Sequence, residues 1–201
     1  FFNAEAWIGE EVASEFARAE GAAFVSGDGT KKPKGFLAYT TAATADSARA
    51  FGTLEHVATG VAADWAASNP QDILLTLVYK LKAGFRSNAR FVMNKGILAD
   101  VRKWKDATGN YIWRPGLEAG QPDTLHGYGI TEAEDMPAKG ANALPIAFGD
   151  FKRGYLIVDR IGTSILRDPY TAKPYVGFYT RKRLGGCVVD SEAIKVIKIA
   201  A

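Results

Sequence analysis

Side chains that carry chemistry are scarce in this sequence. It has one cysteine, which excludes an intramolecular disulfide. Cys187 opens the apolar run Cys187-Val188-Val189, which reads as a buried strand, so the thiol is expected in the core. The two histidines, His56 and His126, stand alone in their segments with no second His or Cys at ligand spacing, and neither reads as a metal ligand. A Gly-x-Ser-x-Gly elbow is missing, so acyl transfer has no positive support. Long apolar runs are missing too. Residues 73–79 are among the longest, far short of the roughly 18 residues a membrane-spanning helix needs, and a membrane partner is not expected. Charge of one sign is not in large excess. A net charge of +3 is too small for a nucleic-acid footprint, which needs many clustered Lys and Arg against phosphates. The chain opens on Phe1 without a basic head, apolar stretch and cleavage site, and it is expected to be a fragment or a processed form.

What is present suffices for a core: 47% of the residues are apolar. The opening segment has helical spacing, with Asn3 as cap, Ile8, Val12, Phe16 and Ala19 on one face, and Gly21 as a stop. Its other face carries Glu10, Glu11, Glu15 and Glu20 against Arg18, either a solvated face or half of an intersubunit charge pairing. Residues 51–59 look extended. Asn69-Pro70-Gln71-Asp72 starts a second helix striped by Ile73, Leu74, Leu77, Val78 and Leu81 and closed by Gly84. A short strand over 90–94 leads to a third helix, capped by Asn94, with Ile97, Leu98, Val101 and Trp104 on one side. Beyond Gly127 short β-rich runs dominate: 128–131, 146–148, 155–158, 164–167, 176–181 and 194–199. An α+β architecture follows.

Three features invite a chemical reading, and each has a plainer one. Residues 27–35, Gly27-Asp28-Gly29-Thr30-Lys31-Lys32-Pro33-Lys34-Gly35, combine glycines and lysines as phosphate loops do. Walker spacing and Gly-x-Gly-x-x-Gly are both missing, so a structural loop is favoured. Glu132, Glu134 and Asp135 lie close enough to divide acid and base roles, yet they sit where a strand runs into a turn. The basic residues between 80 and 105 fall largely opposite the apolar stripes and read as solvated helix faces.

A longer pattern stands behind these pieces. Phe91-Val92-Met93-Asn94, residues 98–106, Gly109-Asn110-Tyr111-Ile112-Trp113, residues 120–128 and Met136-Pro137 follow one another in an order that resembles the Hong Kong 97-type phage major capsid proteins. Upstream, Phe24-Val25-Ser26-Gly27-Asp28-Gly29 and Pro33-Lys34-Gly35-Phe36-Leu37 look like that family's junction between spine helix and glycine loop. Downstream, residues 146–151 and the closing strands are similar.

The resemblance implies a Hong Kong 97-type fold divided as follows. Residues 1–70 would hold the spine helix, the glycine loop and part of a peripheral domain. Residues 71–160 would form an axial domain, 161–185 the long strands and loop of the peripheral domain, and 186–201 a return strand. The family's N-terminal arm and extended loop have no counterpart in these 201 residues. It implies a structural subunit, not an enzyme and without a cofactor, whose main partner is itself in capsomers of five and six. Those would build an icosahedral virion shell around double-stranded DNA held without sequence specificity. A portal, a maturation protease or a scaffold would be further partners, and assembly would take place in the bacterial host cytoplasm. Two rival readings are an encapsulin-like compartment and a small α/β enzyme for a phosphorylated ligand. Some family members join subunits by a lysine to asparagine bond. The corresponding loop, Asp168-Pro169-Tyr170-Thr171-Ala172-Lys173-Pro174, has no asparagine, and no crosslink through it is expected. Its prolines restrict the backbone and make Asp168, Pro169, Tyr170 and Lys173 candidates for contacts between capsomers. The acidic face at Glu10, Glu11 and Glu15 is expected to oppose a basic patch such as Arg181, Lys182 and Arg183 on a neighbour.

Overall fold

The computed structural model describes residues 3–105, 108–111, 113 and 124–201; residues 106, 112 and 120–123 of the family-like stretches lie outside these. In chain order the elements are α1 (Ala4–Ser26), a 3-10 turn (Phe36–Ala38), β1 (Thr41–Ala42), β2 (Leu54–Ala62), α2 (Asp72–Lys80), α3 (Ala83–Arg86), β3 (Arg90–Met93) and α4 (Lys95–Lys103). There follow β4 (Thr124–Leu125), β5 (Tyr128–Glu132), β6 (Ile146–Gly149), α5 (Phe151–Gly154), β7 (Tyr155–Asp168), β8 (Gly177–Val188) and β9 (Ile194–Ala200). They form two compact units, one of Phe1–Ala38 with Leu156–Cys187, the other of Tyr39–Tyr155 with Val188–Ala201.

The larger unit is built on a seven-stranded sheet in the order β1-β2-β9-β6-β3-β5-β4. β9 runs parallel to β2 and antiparallel to β6, and β3 runs antiparallel to β6 and parallel to β5. All four residues of β6 are buried, as a strand paired on both edges and covered should be. Leu74, Leu77 and Val78 of α2, with Leu81, and Ile97, Leu98 and Val101 of α4 share one core with Phe91, Met93, Ile146, Phe148 and Ile197 of the sheet. Phe91, Phe148 and Tyr128 stack within it, with ring centroids 4.4 Å and 5.1 Å apart along the chain of contacts.

Local chemistry sets the helix limits. Asn94 Oδ1 accepts the Gly96 N–H at 2.8 Å, which caps α4 as expected. Asn69 does not cap α2: its φ is +48°, its carbonyl accepts the Asp72 N–H, and the helix begins at Asp72, beyond Pro70. Nor does Gly84 end it. The helix stops at Lys80, where Arg86 donates to the carbonyls of Leu81 (2.8 Å) and Tyr79 (3.2 Å), and Gly84 lies inside α3.

In the smaller unit Asn3 caps α1, accepting the Ala6 N–H at 3.2 Å. Gly21 does not stop this helix, which gains from Ala22 and Ala23 just beyond and runs to Ser26. Gly27 ends it, donating to the Ala23 carbonyl at 2.9 Å. A Cβ at Gly27 would overlap the carbonyl oxygens of Ala23 and Pro33, and one at Gly35 would overlap that of Val25, so both positions need glycine. The expected apolar face is less covered than its pattern suggests: Ile8, Val12 and Phe16 are half-buried, Ala19 is exposed and Val25 is buried. β7 merges the two runs expected at 155–158 and 164–167 into one strand, which pairs with β8 in a two-stranded ribbon.

β2 pairs with β9 from Glu55 opposite Lys195 to Ala58 opposite Lys198, which joins residues 39–62 to the larger unit. Likewise residues 156–160 join the smaller unit through β7. Among the described residues no helix is long and apolar enough to cross a membrane.

Candidate functional site

The most heavily buried charges lie in the larger unit. Lys195 is fully buried and its ammonium donates to Asp46 and to Glu55, the latter at 2.8 Å. Glu55, 2% exposed, also receives Lys80 at 2.8 Å, and Arg49 lies 2.6 Å from Asp46 and 3.6 Å from Glu55. Burial pushes the Asp46 carboxyl up, but the hydrogen bond and charge of Lys195, with the Arg49 guanidinium, outweigh it and hold the group below the usual aspartate value. The parallel register that sets Glu55 opposite Lys195 creates this cluster, and it ties residues 46–55 to β9. Sequence reading passed over it. The available signal was a lysine second in Ile194-Lys195-Val196-Ile197, where a strand buried on both faces has no solvated side for an amine.

The remaining titratable groups are dispersed. His56 is lowered by burial and by the nearby Lys198 charge, and its Nδ1 is buried without a partner. His126 is lowered by burial. Glu134 pairs with Lys95 at 2.9 Å on the surface, consistent with a solvated acid. Among the described residues no group of three or more His, Cys, Asp or Glu is placed to hold a metal. Cys187 is not in the core. It is exposed, because strand alternation turns Val188 inward and its predecessor outward.

In the smaller unit the glycine and lysine loop is a folded-back turn. Gly35 donates to Gly27 at 2.9 Å, Thr30 donates to Asp28 Oδ1 at 2.9 Å, and Lys34 donates to Gly186 of β8 at 3.0 Å. This is the structural role expected of it. Glu10 and Glu11 are exposed on α1, whereas Glu15 pairs with Arg18 at 2.7 Å. The three basic residues of β8 are not one patch. Lys182 pairs within the chain with Glu20 at 2.6 Å, Arg181 donates to Ser164 at 3.2 Å across the ribbon, and Arg183 lines an open groove beside α1.

The loop after β7 is held by its own aspartate. Asp168 Oδ1 accepts the N–H groups of Tyr170 (2.9 Å) and Thr171 (3.2 Å), and Oδ2 accepts the Thr171 hydroxyl. The hydroxyl and the two amides hold this carboxyl below the usual range. Pro169 is half-buried and Lys173 exposed, and Tyr170 and Tyr175 project with 80% and 75% of their surface open. Along β7, Ile157, Val158, Ile165 and Leu166 are each about half exposed. Neighbours on a strand face opposite ways, so both faces of the ribbon are apolar and open, as expected of a surface that other molecules cover.

The model of the phage capsid family matches residues 1–199. The chain belongs to the phage capsid family. Its fold is that of a solved capsid protein from "Capsid of empty GTA particle computed with C5 symmetry", at 52% identity and a TM-score of 0.91, covering 100% of this chain and 67% of the other. The capsid protein of the corresponding native GTA particle matches equally well. The structure from Gordonia phage Cozz shares the fold at 16% identity and a TM-score of 0.61, over 96% of this chain and 62% of that one. No curated protein matches. This capsid protein therefore has the mixed α+β Hong Kong 97-type architecture, and its role is structural, that of a major subunit in an icosahedral shell. The open ribbon and the exposed tyrosines become intelligible as surfaces of a subunit that assembles with its own kind.

Proposed function

We propose that this chain forms pentamers and hexamers that tile a head around double-stranded DNA, with the smaller unit as its peripheral domain and the larger as its axial domain. The observation that carries the reading is 52% identity over the whole chain to a capsid protein whose particle was computed with C5 symmetry. Heterologous contacts between identical subunits close into rings, and many modest interfaces then act together. Asp168, Pro169, Tyr170 and Lys173 contact the next capsomer, on a loop already stiffened by the Asp168 hydrogen bonds. Glu10 and Glu11 of α1 and Arg183 of β8 supply charge pairing between subunits, while Glu15, Arg181 and Lys182 are engaged within the chain. Packaged DNA meets a wall that reads no bases. A portal and a maturation protease or scaffold complete the assembly in the host cytoplasm. Expression of the full-length protein with negative-stain electron microscopy tests this. Uniform shells or rings of five or six are expected, and a persistent monomer with assembly partners supplied overturns the proposal.

A further inference from the structure

An open groove of about 840 Å³ runs between the C-terminal half of α1, the turn at residues 31–33 and the β7–β8 ribbon. Phe16, Ala19, Ala23, Val158 and Leu184 give it an apolar floor. Lys31, Lys32, Arg160 and Arg183 ring that floor with positive charge. The acids beside it are few. Glu20 is taken by Lys182 in a half-buried pair, and Asp28 lies at 3.7 Å from Lys32 in an exposed one. For Lys31, Arg160 and Arg183 the described residues supply no acid within ion-pair reach.

A surface with an apolar floor and a cationic rim fits an acidic amphipathic peptide face, whereas a nucleic-acid backbone has no apolar face to lay on the floor. The same chain presents such a face. Glu10 and Glu11 are exposed on the N-terminal half of α1 beside Trp7, which is 50% exposed and lies three and four residues before them, on the same side of the helix. These acids cannot reach their own groove. At 1.5 Å rise per residue, the middle of the groove lies roughly 15 Å further along the same straight helix.

We infer that the groove of one subunit receives the acidic N-terminal half of α1 from a second copy. Donor face and acceptor groove are distinct surfaces of one subunit, so in a ring-forming subunit they can pair head to tail, each copy giving its helix to one neighbour and its groove to the other. This rests on the shell-forming reading above and names the pair of surfaces that would set register within it.

The test uses the full-length protein and charge exchange. Glu10→Lys with Glu11→Lys, and separately Lys32→Glu with Arg183→Glu, should each lower the yield of shells or rings by at least about tenfold, since a small loss per contact is multiplied around a closed assembly. The four substitutions combined should restore it. Circular dichroism confirms folding of each variant. As a second measurement, Glu11→Cys with Lys32→Cys in a Cys187→Ser background should give disulfide-linked ladders on non-reducing gels after oxidation. Wild-type yield from both reversed variants, or reversal without rescue and without ladders, overturns the head-to-tail contact while leaving the shell reading intact. Normal shells with reduced DNA content from the groove variant alone would overturn it too, assigning the groove to a polyanion. Failure of the wild-type protein to assemble would strike the shell reading instead.

Discussion

At the residue scale the decisive group is Lys195, an ammonium with no exposed surface held between two carboxylates. Removing one partner of a buried pair strands the rest without solvation. Lys195→Met should therefore cost about 3 kcal/mol of unfolding free energy, measured by urea denaturation of dissociated subunits. Lys195→Met combined with Glu55→Gln should cost clearly less than the sum of the single changes, since the two residues touch. The cluster also gives stability a pH dependence. Asp46 is held below its ordinary value, so its contribution is complete above the unfolded-state pKa and is lost as pH falls through the lower folded-state pKa. Acid melts followed below the ordinary aspartate range should show a loss that Asp46→Asn largely removes. Identical acid sensitivity in wild type and variant would refute this.

At the element scale, caps and turns set where helices end. Asn94 caps α4 and also donates to the Glu134 carbonyl at 3.1 Å, joining the helix to the turn after β5. Asn94→Ala should cost about 1 kcal/mol, read from the shift in denaturation midpoint. Gly27→Ala should cost more, about 2 kcal/mol, because the new methyl meets two backbone carbonyls that cannot rotate away. This is also the scale at which sequence reading succeeded and failed. The stripes of α2 and α4 were legible because both helices bury a face in the chain's own core. Gly21 and Gly84 misled as stops. A glycine inside a helix costs only about 1 kcal/mol, which tertiary packing can offset. The thiol at Cys187 was misplaced because a short apolar run at a strand end does not reveal which face its first residue takes. Lys195 escaped notice because its partners, Asp46 and Glu55, are 149 and 140 residues away in sequence and adjacent only through a parallel pairing that no local pattern announces.

At the scale of the whole molecule, exposure reports assembly. A two-stranded ribbon is marginal alone, and this one leaves apolar residues open on both faces. Replacing Ile165 and Leu166 by serine should leave the subunit folded by circular dichroism yet reduce shell yield, as these side chains have little of the chain's own surface to pack against. On denaturing gels of assembled full-length protein, no covalent ladder is expected through residues 168–174, which hold no asparagine. The family relationship was readable across the chain from the order of its short motifs. The groove beside α1 was not, since it is made by residues from four separate stretches that meet only in the folded unit.

The place of β9 in the large sheet has a consequence for the timing of biosynthesis. This strand comes last in the sequence and yet lies between β2 and β6, with both of its edges paired. Until residues 194–200 have left the ribosome, β2 has no neighbour toward the core, Glu55 has no lysine opposite it, and the sheet is divided in two. The larger unit is thus unable to close before β9 has emerged, because its central pairing joins stretches about as far apart as the described chain allows. Ribosome-bound chains arrested before Ile194 should be cut rapidly by protease within residues 39–155, and chains extended far enough to clear Ala201 from the exit tunnel should resist.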